Sequence, residues 1–195
     1  RDLLTIVHEE AQYFIPQIET KIMNEGWASY WHREILNALD LPQGIHLEFL
    51  VHHNQVVRPF PRGIINPYHL GLKLWDKIFL EYGGEPRNEA ERDFAERMCT
   101  EENYESPADR DQYKTPRAKL FAVREVDRDV SFLRRFLTEY LMREMDLFEY
   151  EPKGEDVVVT KISSGDSWRG VKETFLHNIG MGTTPVIKVE NADYD

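Results

Sequence analysis

Cysteine is nearly absent: Cys99 is the single one in 195 residues. One cysteine excludes an internal disulfide framework and any multi-cysteine zinc site, and it points to the cytoplasm as the compartment. Cys99 lies in a polar stretch with no histidine nearby, so it is not a predicted nucleophile. Long apolar runs are also missing. No stretch of about 18 apolar residues and no signal-peptide core is present, so no membrane span or export is expected. Positive charge is scarce, with 24 Lys and Arg against 35 Asp and Glu and a formal net charge of −11. That balance argues against nucleic acid or an anionic membrane as the main partner. The catalytic signatures H-E-x-x-H, G-x-S-x-G, the P-loop and G-x-G-x-x-G are all lacking. His8-Glu9-Glu10 begins the first of these, but Gln12 stands where its second histidine would be.

What is there centres on Met23–His32, MNEGWASYWH. Glu25, Ser29 and His32 recur at i, i+4 and i+7, so a helix places them on one face, about 10 Å from first to last. Trp27, Tyr30 and Trp31 fall on other sides and can be buried. Gly26 costs a helix interior about 1 kcal/mol relative to alanine. Close approach of a backbone or ligand, or a plain helix–helix contact, explains it equally well.

The periodicity predicts a helix over residues 1–14, which Pro16 kinks or separates from the next. One helix is expected from Gln17 to Leu39, ended by Asp40-Leu-Pro42, and another from Ile45 through His53. Asn66 reads as an N-cap with Pro67 at the first helical position, and Gly83-Gly84 as a stop. A helix through Met98 precedes a charge-dense segment reaching about Thr115. Helical spacing resumes from Lys119 to Leu141, where alternating Arg, Asp and Glu read as a salt-bridged solvated face. From about Leu147 the pattern turns to strand, strand, helix over Trp168–Ile179 stopped by Gly180, and strand over Thr184–Val189.

The expected fold class is therefore mainly α, a helical bundle around the Gln17–Leu39 helix, with a small C-terminal α+β unit. Residues 1–146 form the helical core and 147–195 the ββαβ unit. The chain opens without an initiator Met and closes in an acidic tail, so both ends read as cut from something longer.

Two chemical readings of the Glu25 face stay open. In one, Glu25 and His32 join a buried network closed by protein groups such as tyrosine. In the other they are ligands to a divalent metal such as zinc, which needs one or two more ligands from elsewhere. Glu25 followed by Gly26 and an aromatic is reminiscent of the third-ligand helix of gluzincin peptidases. Candidate site-lining residues are Glu10, Tyr13, Asn24, Gly26, Ser29, His53, Asn66 and Tyr68. Glu10 and Tyr13 would act from the preceding helix.

Thr20–His32, TKIMNEGWASYWH, is very similar to the signature of the stage V sporulation protein R (SpoVR) family. The resemblance continues in order through Arg1–Leu4, Tyr13-Phe14, Pro16-Gln17, His53, Ile65–Tyr68 with Leu70-Gly71, and Phe121–Glu125 with Asp129, Ser131 and Phe132. It implies a cytoplasmic bacterial protein linked to spore cortex formation or, in bacteria that do not sporulate, to stress operons with a PrkA-type serine kinase. It assigns no reaction. A regulatory or assembly protein acting through protein partners is the first expectation, and a metal-dependent hydrolase the alternative. It also implies that family members are longer at both ends. A missing N-terminal part of the same protein would carry two histidines four residues apart, able to complete a site with Glu25 but without the catalytic glutamate of zinc peptidases.

Overall fold

The computed structural model describes residues 2–61, 64–98, 112–147, 149–153, 156–161 and 167–183. It is mainly helical. Helix α1 spans Asp2–Ile18, α2 Lys21–Ala38, α3 Gln43–Val57, α4 Pro67–Glu81 and α5 Glu89–Met98. Three shorter helices follow, α6 over Pro116–Val126, α7 over Asp129–Phe136 and α8 over Glu139–Glu144. Strands β1 (Glu149–Lys153) and β2 (Asp156–Lys161) pair antiparallel with Tyr150 opposite Val159, and α9 covers Ser167–Thr183.

The core is built on α2 and α4. Helix α4 is buried on nearly every side, because its sequence is apolar almost all round: Leu70, Leu74, Trp75 and Ile78 are fully enclosed. Asn66 caps it, its side chain accepting the Tyr68 N–H at 3.0 Å with Pro67 in the first turn. Gly83, at φ 87°, ends the following turn. The two helices cross where Gly26 meets Gly71. A methyl group on Gly26 would lie 2.3 Å from the Gly71 carbonyl carbon, and one on Gly71 2.2 Å from the Ile22 carbonyl oxygen. Backbone therefore touches backbone, and the glycine in MNEGWASYWH is explained by close approach to a second glycine. Trp75 locks the crossing: its indole N–H donates to the Met23 carbonyl at 3.1 Å, and its ring lies 4.8 Å from Phe132 and 5.1 Å from Trp27.

The N-terminus of α2 is satisfied from a distance. Thr20 precedes it but makes no side-chain cap; its hydroxyl donates to the Pro16 carbonyl at 2.7 Å instead. The Asp129 carboxylate, on α7, accepts the Ile22 and Met23 N–H groups, each at 2.9 Å, and its own N–H donates to the Glu19 carbonyl at 2.8 Å. Four orphan N–H groups open every helix, and here a buried acid from over a hundred residues later takes those of Ile22 and Met23.

Several expected boundaries move. The long helix begins at Lys21 rather than Gln17, because α1 runs through Pro16 to Ile18 before the chain turns at Glu19-Thr20. The charged pattern after Lys119 is three helices, since Asp127-Arg128 and Leu137-Thr138 are extended and each next helix is capped separately. The expected C-terminal α+β unit needs the largest correction. Its hairpin is present, but α9 continues through Gly180, and Trp168, Val171 and Leu176 bury in the same core as α2 and α4. Buried Lys172 donates to the Arg134 and Leu137 carbonyls at 2.9 and 2.6 Å, tying α9 to the end of α7. The helix belongs to the helical body because its apolar face is used there. The last expected strand, residues 184–189, lies outside the described residues, as does Cys99.

Candidate functional site

Helix α2 carries its polar line past two neighbours. At its start, half-buried Glu25 accepts a hydrogen bond from the Tyr68 hydroxyl in the first turn of α4. That bond holds the Tyr68 phenol above its ordinary pKa, because ionisation would remove the proton being donated. One turn on, Ser29 is buried. Near its middle, exposed His32 meets α3, its ring centre 5.3 Å from Phe49 and 6.0 Å from His53. His53 is buried, which pushes its pKa down; Arg33 and His32 add to the shift and Asp76 opposes it. His53 is the enclosed member of the pair and His32 the solvent-facing one.

Asn66 holds the other side together. Its amide donates to the Val56 and Arg58 carbonyls, both at 2.8 Å, while its oxygen caps α4. The end of α3 is thereby fastened to the start of α4, next to Tyr68. His69 adds a contact from its Nδ1 to the Val57 carbonyl at 2.8 Å.

Of the residues singled out from the sequence, the fold pairs Glu25 with Tyr68 and His32 with His53, and builds their frame from Gly26, Ser29 and Asn66. Asn24 is spent locally, donating to the Thr20 hydroxyl at 2.8 Å. Glu10 and Tyr13 are exposed on α1, and the Tyr13 ring packs on its neighbour Phe14. Among the described residues, no three His, Cys, Asp or Glu side chains come together as a metal-binding group. Glu25 and His32 share a helix face but have separate partners.

Sequence reasoning missed an ionic cluster beside His53. Buried Asp76 of α4 accepts from Arg33 at 3.0 Å and from Arg87 at 2.6 Å. Arg87 also pairs with Glu34, and with Glu91 at 2.9 Å. Burial works against the Arg87 cation, but Asp76 and Glu91 outweigh it and hold the group more basic than usual. Both guanidinium groups lie over the Tyr30 ring, at 5.5 and 5.8 Å. A signal existed: Asp76-Lys77 interrupts the apolar run LWDKIFL, and a charge inside a buried helix requires a partner.

A family model described as SpoVR like protein matches residues 1–184. The chain belongs to the SpoVR family. A curated relative is the "Uncharacterized protein YcgB" of Escherichia coli (strain K12), 29% identical over 214 aligned residues. The match covers 99% of this chain and 37% of that protein, so the chain spans little more than a third of its relative's length. No solved structure matches. Residues Thr20–His32 thus include one side of the Gly26–Gly71 crossing and both Glu25 and His32. Among the described residues, no helix is long and apolar enough to cross a membrane.

Proposed function

We propose that this SpoVR chain works by binding, as a regulatory or assembly component of sporulation or the stress response in the bacterial cytoplasm. The observation that carries this is the outer side of α3. Leu47 and Val51, one turn apart, are each more than half exposed there, on the side of α3 turned away from buried Phe49 and His53. Apolar side chains grouped on a face of an otherwise well-packed body mark a protein contact. The family's operon association makes a PrkA-type serine kinase system the partner to test first. The test is affinity purification of the intact protein from its own host, wild type against the double variant Leu47→Asp, Val51→Asp. Both positions are exposed, so the fold should survive. The expected result is loss of co-purifying partners, including the kinase. Retention of the same partners by the variant counts against the reading.

One observation favours a second, metal-dependent reading. The His32 and His53 ring centres are 6.0 Å apart, near enough for side-chain rotation to bring both onto one metal ion, and Glu25 lies on the same face of α2 as His32. A hydrolytic site would then need a further ligand from elsewhere in the protein. Metal analysis of the intact protein, with Glu25→Gln and His53→Ala beside wild type, separates the readings. Stoichiometric metal lost in either variant supports the second; no bound metal in wild type removes it.

A further inference from the structure

Helix α1 has no buried residue. Its apolar side chains nevertheless form a regular stripe: Leu4, Val7, Ala11, Phe14 and Ile18, at alternating spacings of three and four. That is the two-heptad seam of a helix made to pack against another helix. Leu4 is 77% exposed, Val7 63%, and Phe14 and Ile18 46% each. The helix is not a loose tail at its base. Glu19, just after it, accepts the Asp129 N–H at 2.8 Å through its carbonyl and pairs with Arg128 at 2.6 Å through its carboxylate. The seam is therefore held at a set angle to the body, and among the described residues its side chains stay exposed although α9 approaches the helix.

Charge says what fits. Between Asp2 and Ile18 the helix carries Asp2, Glu9 and Glu10 and no Lys or Arg. Glu10 alone of these borders the seam, and a second copy would add another chain of net charge −11. The complementary occupant is an amphipathic helix with an apolar seam and a Lys or Arg placed to meet Glu10. The E. coli relative has 63% of its length outside the matched part, ample for such a helix.

We infer that the α1 seam is the docking site for a basic-flanked amphipathic helix supplied by the same polypeptide, from sequence outside these 195 residues. This deepens the binding reading only in assigning α1 to an internal contact, leaving α3 for external partners. The test uses the intact protein as its gene encodes it, with a photo-crosslinking amino acid at position 7 or 14 and mass-spectrometric mapping of the products. Intramolecular crosslinks to a Lys- or Arg-flanked helix outside residues 1–195 are expected. Strong protection of the α1 amides from hydrogen exchange should accompany them. Crosslinked dimers, crosslinks mainly to another protein, or fast exchange along α1 without crosslinks would each overturn the inference, as would a gene encoding no further segment. Partner co-purification lost through the α3 variant is read independently, so either proposal can fail without the other.

Discussion

Helices α1 and α4 are alike in length and both carry a full apolar pattern, yet they end in opposite environments. In α4 even Asp76 and Lys77 are buried, each with ionic partners. In α1 even Leu3 and Leu4 are more than three-quarters exposed. Periodicity states that a helix has a face to bury. It does not state whether the partner for that face lies within the same 195 residues.

The comparison is sharpest when the same substitution is made in both helices. Leu74→Ala should cost about 2–5 kcal/mol, from lost burial plus the cavity left behind. Leu4→Ala should stay within about 0.5 kcal/mol. Urea denaturation of this chain measures both, and equal losses would show that α1 is packed after all.

Next comes the crossing that anchors α4. Gly26→Ala drives a methyl group into Gly71 backbone, which cannot yield as a side chain could, and should cost about 1–3 kcal/mol or more. Gly170→Ala, in α9 with open space around it, should instead stabilise by about 0.5–1 kcal/mol. A neutral Gly26→Ala would mean that the helices separate at little cost.

Asp129 tests whether α2 depends on its distant cap. Asp129→Ala leaves buried N–H groups without acceptors and should cost about 1–3 kcal/mol, with Asp129→Asn recovering part of the loss. Burial raises the Asp129 pKa, and the backbone N–H donors of Met23, Ile22 and Lys21 only partly offset this. The folded protein therefore holds this proton at a pH where the unfolded chain has released it. Its contribution to stability is greatest below the unfolded carboxylate pKa, falls as pH rises through the folded pKa, and is level above it. Asparagine should remove that decline from the stability–pH curve.

The smallest expected effect belongs to His53. Its folded pKa is lowered, chiefly by burial, so the unfolded chain takes up the proton first. Stability should fall as pH drops from about 6.5 through the folded pKa. His53→Gln should flatten that segment, and NMR titration should show His53 protonating below the ordinary histidine range.

Much of this was legible. Asn66-Pro67 gives the start of α4 and Gly83 its end, because capping and left-handed turns are local requirements that few residues meet. Gly26 announced a close approach within a helix. Tyr68 and His53 were visible as neighbours of the Glu25 face, but not their pairing, Tyr68 to Glu25 and His53 to His32. Asp129 read as one charge among many on a solvated face, whereas it is a buried cap; nothing local distinguishes it from Asp127 or Glu125. The residues from Leu147 onward read as a unit apart because strand propensity changes there. Only the burial of Trp168, Val171 and Leu176 shows that α9 belongs to the helical body.

By itself the sequence determined that the chain is mainly helical, where α4 starts and stops, the family resemblance and that Gly26 marks a close contact. Each follows from residues within a few positions of one another, where φ/ψ limits, capping and spacing act directly. Tertiary structure alone decided that Gly71 meets Gly26, that Asp129 caps α2, that Arg33 and Arg87 share Asp76, and that the α1 seam stays exposed among the described residues. Those outcomes depend on which surfaces meet across gaps of 11 to 107 residues. Burial, charge pairing and hydrogen-bond satisfaction settle them only when the whole core assembles.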